Sequence, residues 1–178
     1  EATLQSLDRY VAELADSEAD AFLITGDISE APTLHSHLSA VGDRVQRPVY
    51  FVLGNHDFYK GSVREVRRSL AERCASSRWL RYLTQTGVVP LTESWALVGH
   101  DGWADGRFGD YFGSPVMLND WLLIEELAWL SQHERLERLQ ALAADAADHL
   151  KTAVERALLT HDHVLVATHV PPFREACW

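Results

Sequence analysis

Three residues with the chemistry of metal ligands each follow a short apolar run of the chain: Asp27, Asn55 and His169. Carboxylate, amide carbonyl and imidazole groups form a mixed oxygen and nitrogen set, which suits manganese, iron, zinc or magnesium better than copper. A bridging carboxylate can hold two such ions roughly 3.5 to 4 Å apart, the separation used in phosphoryl displacement. The residue types therefore indicate a metal site in which Asp27 is the candidate bridge.

The apolar runs before these residues must bring them together. Residues 21–26 and 49–54 are typical of buried strands that end in glycine, and residues 33–41 between them have helical spacing. A strand, a helix and a strand at this spacing predict a parallel pair with a crossover helix. Ligand sites of parallel sheets lie outside the carboxyl ends of the strands. Asp27 and Asn55 are therefore predicted to lie side by side.

The remaining pattern predicts a mixed α/β fold in one domain over residues 1–178, since 178 residues of which 47% are hydrophobic can bury a core. Further helices are predicted at the opening of the chain, where Leu4 begins the apolar stripe, at 63–74, and over about 120–159, where the helical region could be broken in two. Further strands are predicted at 95–99 and 164–168. Residues 101–113 are typical of an ordered loop.

Charge and composition exclude several classes of protein. A formal charge of -10 argues against a general electrostatic grip on nucleic acid, which needs lysine and arginine to displace counterions. Cys74 and Cys177 lie far apart, so they predict no disulfide framework and favour a reducing compartment. No apolar run approaches the roughly 20 residues that span a bilayer, and no signal segment opens the chain. We expect a cytoplasmic protein without a membrane segment.

Three blocks of sequence, in this order, resemble the calcineurin-like metallophosphoesterase superfamily: Gly26-Asp27-Ile28-Ser29-Glu30, Gly54-Asn55-His56-Asp57 and Thr168-His169-Val170-Pro171-Pro172. The resemblance implies a layered α/β/β/α sandwich and hydrolysis of a phosphomonoester or phosphodiester by a metal-bridging hydroxide. It also implies two divalent ions (Mn, Fe, Zn or Mg), with Asp27 as their bridge and with Asn55 and His169 as ligands of the second ion. His56 would act on the substrate as a catalytic residue, and Asp57 would orient its imidazole.

Two blocks of that superfamily are absent from this sequence: an early Asp-x-His and a late Gly-His-x-His. We therefore expect a chain truncated at both ends, and we do not expect it to be a competent two-metal enzyme by itself. Two alternatives stay open. One is a non-catalytic scaffold or binding module that keeps the fold, and the other is a nuclease of the same superfamily, against which the acidic balance counts.

Other polar residues are consistent with either a structural or a functional role. His100 and Asp101 follow a predicted strand and either line the substrate or form a structural loop. Trp103 and Arg107 of the 101–113 loop could hold a substrate by stacking and one charged contact, or belong to a packed cover. Most simply, the basic run forms a solvated helix face: Arg64, Arg67, Arg68, Arg73, Arg78 and Arg81.

Overall fold

The computed structural model describes the backbone of residues 2–176 and the side chains of residues 7–176. The side chain of Leu4 and the whole of Cys177 lie outside the described residues. In chain order the elements are α1 (Ala2–Asp16), β1 (Phe22–Thr25), α2 (Ala31–Val45), β2 (Val49–Val52), a 3₁₀ turn (His56–Phe58), α3 (Val63–Ser76), β3 (Leu80–Tyr82), α4 (Leu83–Thr86), β4 (Val89–Pro90), β5 (Trp95–Gly99), α5 (Asp120–Leu123), α6 (Gln132–Ala157), β6 (His163–Ala167) and a 3₁₀ turn (Arg174–Ala176).

The first sheet has the order β1-β2-β3, and all of its strands are parallel. The register pairs Thr25 with Val52, so the carboxyl ends of β1 and β2 lie at one edge. Helix α2 is the crossover between them, which confirms the predicted parallel pair. Strand β3 was not predicted, because three residues with Arg81 at the centre carry too little apolar pattern to be distinguished from a loop.

The second sheet has the order β4-β5-β6, with β4 antiparallel and β6 parallel to β5. Gly99 pairs with Ala167 at the carboxyl end of this sheet. The residues that follow these two strands, including His100 and His169, therefore leave the sheet at the same edge. The backbone N–H of His169 donates to the carbonyl of Asp101 at 3.2 Å, which joins the two outgoing segments.

Alternating side chains on the central strands separate three layers of core. Phe51 of β2 packs in the helix-side core with residues of α2, whereas Val52 packs with Leu97 of β5 between the sheets. On the far side of β5, Val98 packs against α6 together with Ala157. Because a strand places successive side chains on opposite faces, this alternation produces the two-sheet sandwich with helices outside. The predicted layered α/β/β/α class is confirmed.

The predicted helical region over 120–159 divides into the short α5 and the long α6. A capping box stops α6 from extending backwards, since the Ser131 hydroxyl accepts from the N–H of Glu134 and Glu134 accepts from the N–H of Ser131. Such a cap stabilises a helix by about 1 kcal/mol. Trp129, between α5 and α6, is 99% exposed in this chain. Among residues 2–176, no helix has the length and apolar character needed to cross a membrane.

Candidate functional site

Asp27 is the centre of a group of side chains from three separate loops. The imidazole Nε2 of His169 lies 3.5 Å from Asp27 Oδ1, and Nδ1 of His56 lies 4.0 Å from Asp27 Oδ2. The backbone N–H of His56 donates to Asp27 Oδ1 at 3.3 Å. Asp27 itself has φ 55, a left-handed conformation that costs a residue with a Cβ of order 1–3 kcal/mol. The structure thus brings the predicted residues of β1, β2 and β6 to one edge.

Close backbone approach makes this arrangement possible. A Cβ on Gly54 would overlap the Asp27 carboxylate, and a Cβ on Gly26 would overlap both the Gly54 backbone and the His169 ring. The glycine at the end of each strand therefore gives the next polar side chain room beside its neighbour. This is a physical reason for the glycine that precedes Asp27 and Asn55 in the sequence.

His169 is held in one orientation by the end of β1. Its Nδ1 lies 2.8 Å from the carbonyl oxygen of Thr25 and donates a hydrogen bond to it, so Nε2 faces Asp27. Ligand bonds to a divalent cation are about 2.0–2.2 Å long, so two donors at a tetrahedral angle lie about 3.4 Å apart. The 3.5 Å separation of Nε2 and Asp27 Oδ1 fits a cation held between them.

Asn55 is held by a carboxylate that the sequence did not single out. Its Nδ2 donates to Asp120 Oδ1 at 2.8 Å, and the hydroxyl of Tyr59 donates to the same oxygen at 2.7 Å. The amide nitrogen is therefore occupied, and the amide oxygen is left for a cation. Burial, and then the bond to Asp120, raise the pKa of Tyr59 above its usual value, so its hydroxyl remains a donor. Asp120 is 65 residues from Asn55, and no local pattern links them.

Asp57 has a different set of contacts from the one predicted. Its Oδ1 accepts the N–H groups of Ile28 and Ser29 at 2.8 and 2.7 Å, and its Oδ2 accepts that of Gly54 at 2.8 Å. The 3₁₀ turn directs Asp57 inward, where it is fully buried, and directs the His56 ring outward. Asp57 therefore joins the loop after β1 to the loop after β2 (the two ligand loops), rather than orienting the imidazole directly. Burial raises the pKa of Asp57 to about 6, against the lowering effect of the three N–H donors.

The His56 ring is supported by an aromatic neighbour. It stacks on the Tyr59 ring with centroids 4.5 Å apart, while 55% of its side chain is exposed. Stacking on one face and the nearby Asp27 carboxylate restrict the imidazole without covering it. His56 is thus open to a substrate at the edge where the candidate ligands meet.

His100 and Asp101 were predicted either to line a substrate or to form a structural loop, and the structure buries both. Asp101 accepts from Leu53 N–H, the Tyr82 and Thr84 hydroxyls and Arg67 Nε, at 2.6 to 2.9 Å. These four hydrogen bonds tie β5 to the loop before Asn55, and Asp101 also forms part of the wall of the cavity beside Asn55 and His169.

The basic run is not a uniform solvated face, contrary to the simplest prediction. The Arg67 side chain is only 14% exposed because its pairing with Asp101 turns it inward.

His100 accepts the N–H of Gly102 at its Nδ1, and burial lowers its pKa to about 4. The neutral imidazole is therefore the stable form of His100 near neutral pH.

A cavity of about 230 Å³ opens beside Asn55 and His169. Trp103 lies in its wall and packs against Phe58 with ring centroids 5.7 Å apart. Arg107, predicted either as a charged substrate contact or as part of a packed cover, is 71% exposed and pairs with Asp105 at 3.3 Å, and it is not among the residues that line this cavity. Other apolar residues of the wall come from the 101–113 loop, the segment after it, α5, α6 and the turn after β6: Tyr111, Leu118, Trp121, Leu139 and Val170.

The donor set fits part of a metal centre. Among the described side chains, no group of three or more histidine, cysteine, aspartate or glutamate residues is arranged to hold a metal ion. Asp27 and His169 contribute two such donors, and Asn55 contributes an amide oxygen as a third. The spacing of Asp27 and His169 and the fixed amide of Asn55 fit one cation, with Asp27 retaining a second oxygen.

Comparison with known proteins gives one match. The model of a family described as calcineurin-like phosphoesterase matches residues 1–178. Searches of curated proteins and of solved structures found no significant match.

Proposed function

The chain belongs to the calcineurin-like phosphoesterase family, and from this premise we propose that it hydrolyses a phosphomonoester or phosphodiester. The observation that carries the proposal is the meeting of three loops at the Asp27 carboxylate, with His169 Nε2 at 3.5 Å and His56 Nδ1 at 4.0 Å. Family membership supports phosphate-ester hydrolysis in general. The site supports specific roles for its residues.

Asp27, Asn55 and His169 would hold divalent cations, with Asp27 as the bridge between two of them. Such cations supply positive charge for the phosphoryl oxygens and lower the pKa of a bound water. Manganese, iron, zinc and magnesium all suit these oxygen and nitrogen donors. The hydrogen bond from His169 to the Thr25 carbonyl and the bond from Asn55 to Asp120 support the ligand roles, because each leaves the required donor atom free.

His56 is the proposed proton donor. In the reaction, a water oxygen forms a bond to phosphorus and releases a proton to solvent, and the bond between phosphorus and the ester oxygen breaks. That oxygen takes a proton from the imidazole, which regains one from solvent. The alcohol then leaves, and phosphate or a phosphomonoester remains. The exposed ring and its stacking on Tyr59 support this role. Asp57 is a positioning residue that acts through the backbone of the two ligand loops.

The proposal is tested with the full-length protein by comparing Asp27→Ala with His56→Ala. Asp27→Ala should remove metal and activity together. His56→Ala should keep the metal and lower kcat by about 100- to 10,000-fold, the usual range for losing a general acid. Metal analysis and steady-state kinetics on the same preparations measure the metal content and kcat.

His163→Ala is the matched control, because His163 is exposed at the opposite end of β6, and it should change neither quantity. If His56→Ala loses metal as completely as Asp27→Ala, the division of roles is wrong. If the metal-loaded protein cleaves no phosphate ester, a binding module becomes the better explanation.

A further inference from the structure

The cavity beside Asn55 and His169 extends away from the ligand loops into a part of the molecule that the proposed reaction does not use. We infer, on the basis of the proposed function, that this cavity holds the alcohol group of the ester and selects an uncharged group the size of one aromatic ring. A phosphate placed at the candidate ligand residues would lie next to this opening, because Asn55 and His169 belong to both sites.

The walls of the cavity favour a flat, apolar group. Trp103, Tyr111 and Trp121 contribute aromatic side chains, and Leu118 and Leu139 contribute aliphatic ones. Aromatic rings contact other rings favourably in stacked and edge-to-face geometries. A planar group would therefore gain more from these walls than a short alkyl chain.

The aromatic walls are held in place by their own contacts. Trp103 packs on Phe58, and Tyr111 meets Trp121 edge to face with centroids 6.0 Å apart. Trp121 is 9% exposed. Walls that are ordered before the ligand arrives reduce the entropy lost on binding. The cavity is therefore suited to discriminate by shape.

The size of the cavity limits its occupant. A cavity of about 150 Å³ with apolar walls is known to hold benzene. The volume here is about 230 Å³. One ring and a linking carbon fill this space, whereas a large multi-ring group or a long acyl chain would project from its opening into solvent.

Charge selects against ionic occupants. Among the described residues that line the cavity there is no lysine or arginine, so an anionic group would lose its hydration without gaining a partner. A cationic group would gain little from the Trp121 ring, because the Arg135 guanidinium already lies over that ring, 4.7 Å from its centroid. Both carboxylates of the wall already have partners: Asp120 accepts from Asn55 and Tyr59, and Asp101 accepts from four donors of the protein, including Arg67. An uncharged occupant fits best.

The test compares hydrolysis of benzyl phosphate, ethyl phosphate and choline phosphate by the metal-loaded, full-length protein. Benzyl alcohol and ethanol are leaving groups of similar acidity, so a difference between their esters reports contact with the protein. We expect kcat/KM for benzyl phosphate to exceed that for ethyl phosphate by about 10- to 100-fold, the range that a hydrophobic pocket provides. Choline phosphate should not be preferred over benzyl phosphate.

Ala104→Trp is the variant that should remove this preference. Ala104 lines the cavity but is exposed, so a large side chain there can occupy the cavity without displacing core residues. The benzyl-to-ethyl ratio should fall to near one. Ala147→Trp is the matched control on the exposed surface of α6, and it should keep the ratio of the unchanged protein.

Calorimetric binding of benzylphosphonate and methylphosphonate gives a readout that does not depend on turnover. Tighter binding of benzylphosphonate, lost in Ala104→Trp, supports the inference even if no ester is cleaved, a result that would count against the proposed function alone. Equal kcat/KM for the benzyl and ethyl esters would overturn the inference and leave the proposed function standing. So would a clear preference for choline phosphate, or a benzyl preference that survives in Ala104→Trp.

Discussion

Two segments of this chain with similar sequences differ in how far their histidines are exposed. Gly54-Asn55-His56-Asp57 follows β2, and Gly99-His100-Asp101 follows β5. Both lie at the carboxyl end of a sheet. The His56 side chain is 55% exposed beside the candidate ligands, whereas that of His100 is 1% exposed. The same residue types therefore place a histidine at the surface beside the candidate ligands in one place and inside the protein in the other.

The two aspartates explain part of this difference. Asp57 accepts three backbone N–H groups, whereas Asp101 accepts one backbone N–H, two hydroxyls and the Arg67 guanidinium. Each aspartate is buried and holds a neighbouring segment in place. The extra asparagine and the 3₁₀ turn at 56–58 leave His56 outside, while His100 continues directly from β5 into the interior.

The largest effect on stability should come from Asp101→Ala. This change leaves Arg67 as a buried charge without its nearest carboxylate partner and removes the acceptor for Tyr82. We expect the free energy of unfolding to fall by about 3–5 kcal/mol, the usual result of removing one partner of a buried pair. Urea unfolding followed by circular dichroism measures it.

Asp148→Ala is the control for this loss, since Asp148 is exposed on α6, and its effect should stay within about 0.5 kcal/mol. A loss of less than about 1 kcal/mol in Asp101→Ala would mean that the Arg67 contact does not hold β5 to the site.

The second effect is a pH dependence of stability carried by His100. Its pKa is lowered from 6.5 to about 4 in the folded chain, mainly by burial. Between these two values the unfolded chain binds a proton that the folded chain does not. The free energy of unfolding should therefore fall as the pH falls from 6.5 to 4, by about 3 kcal/mol from this group.

His100→Asn isolates this contribution, because the amide oxygen can still accept the N–H of Gly102 but does not titrate. The variant should lose less stability than the unchanged protein between pH 7.5 and pH 4, as measured by urea unfolding at each pH. If the free energy of unfolding changes equally with pH in the two proteins, His100 does not cause the pH dependence.

The smallest effect on stability, but a large one on turnover, should come from Asp57→Asn. The amide oxygen can accept from Ile28 and Ser29, but the amide nitrogen then faces the N–H of Gly54. We expect a loss of about 1–3 kcal/mol from the unpaired donors. The displaced Gly54 loop should lower kcat by about 100-fold, because small misplacements of reacting groups are costly.

Kinetics and thermal unfolding of Asp57→Asn, measured together, separate its two effects. If kcat is unchanged while stability falls, Asp57 supports the fold without positioning the ligand loops. Asp57 and Asp101 would then both be residues that only support the fold.

The sequence was most informative where local pattern and chemistry coincide. The strands before Asp27, Asn55 and His169 were predicted because four or five apolar residues end at a glycine or a polar residue. Their roles as ligands stay predictions, but the structure does bring these residues to one edge. Asp120 was missed because its bond to Asn55 spans 65 residues, and an aspartate at a helix start has no local mark of such a partner.

By itself, the sequence determined the family, the layered fold class and the order in which polar residues follow the strands, because apolar periodicity and block order are local properties. Only the tertiary structure decided which of the two histidines, His56 or His100, faces solvent. It also decided that Asp57 binds backbone N–H groups and that aromatic residues from separate segments enclose the cavity beside Asn55. Burial depends on what the other layers place above a residue, and residue type and spacing do not carry that information.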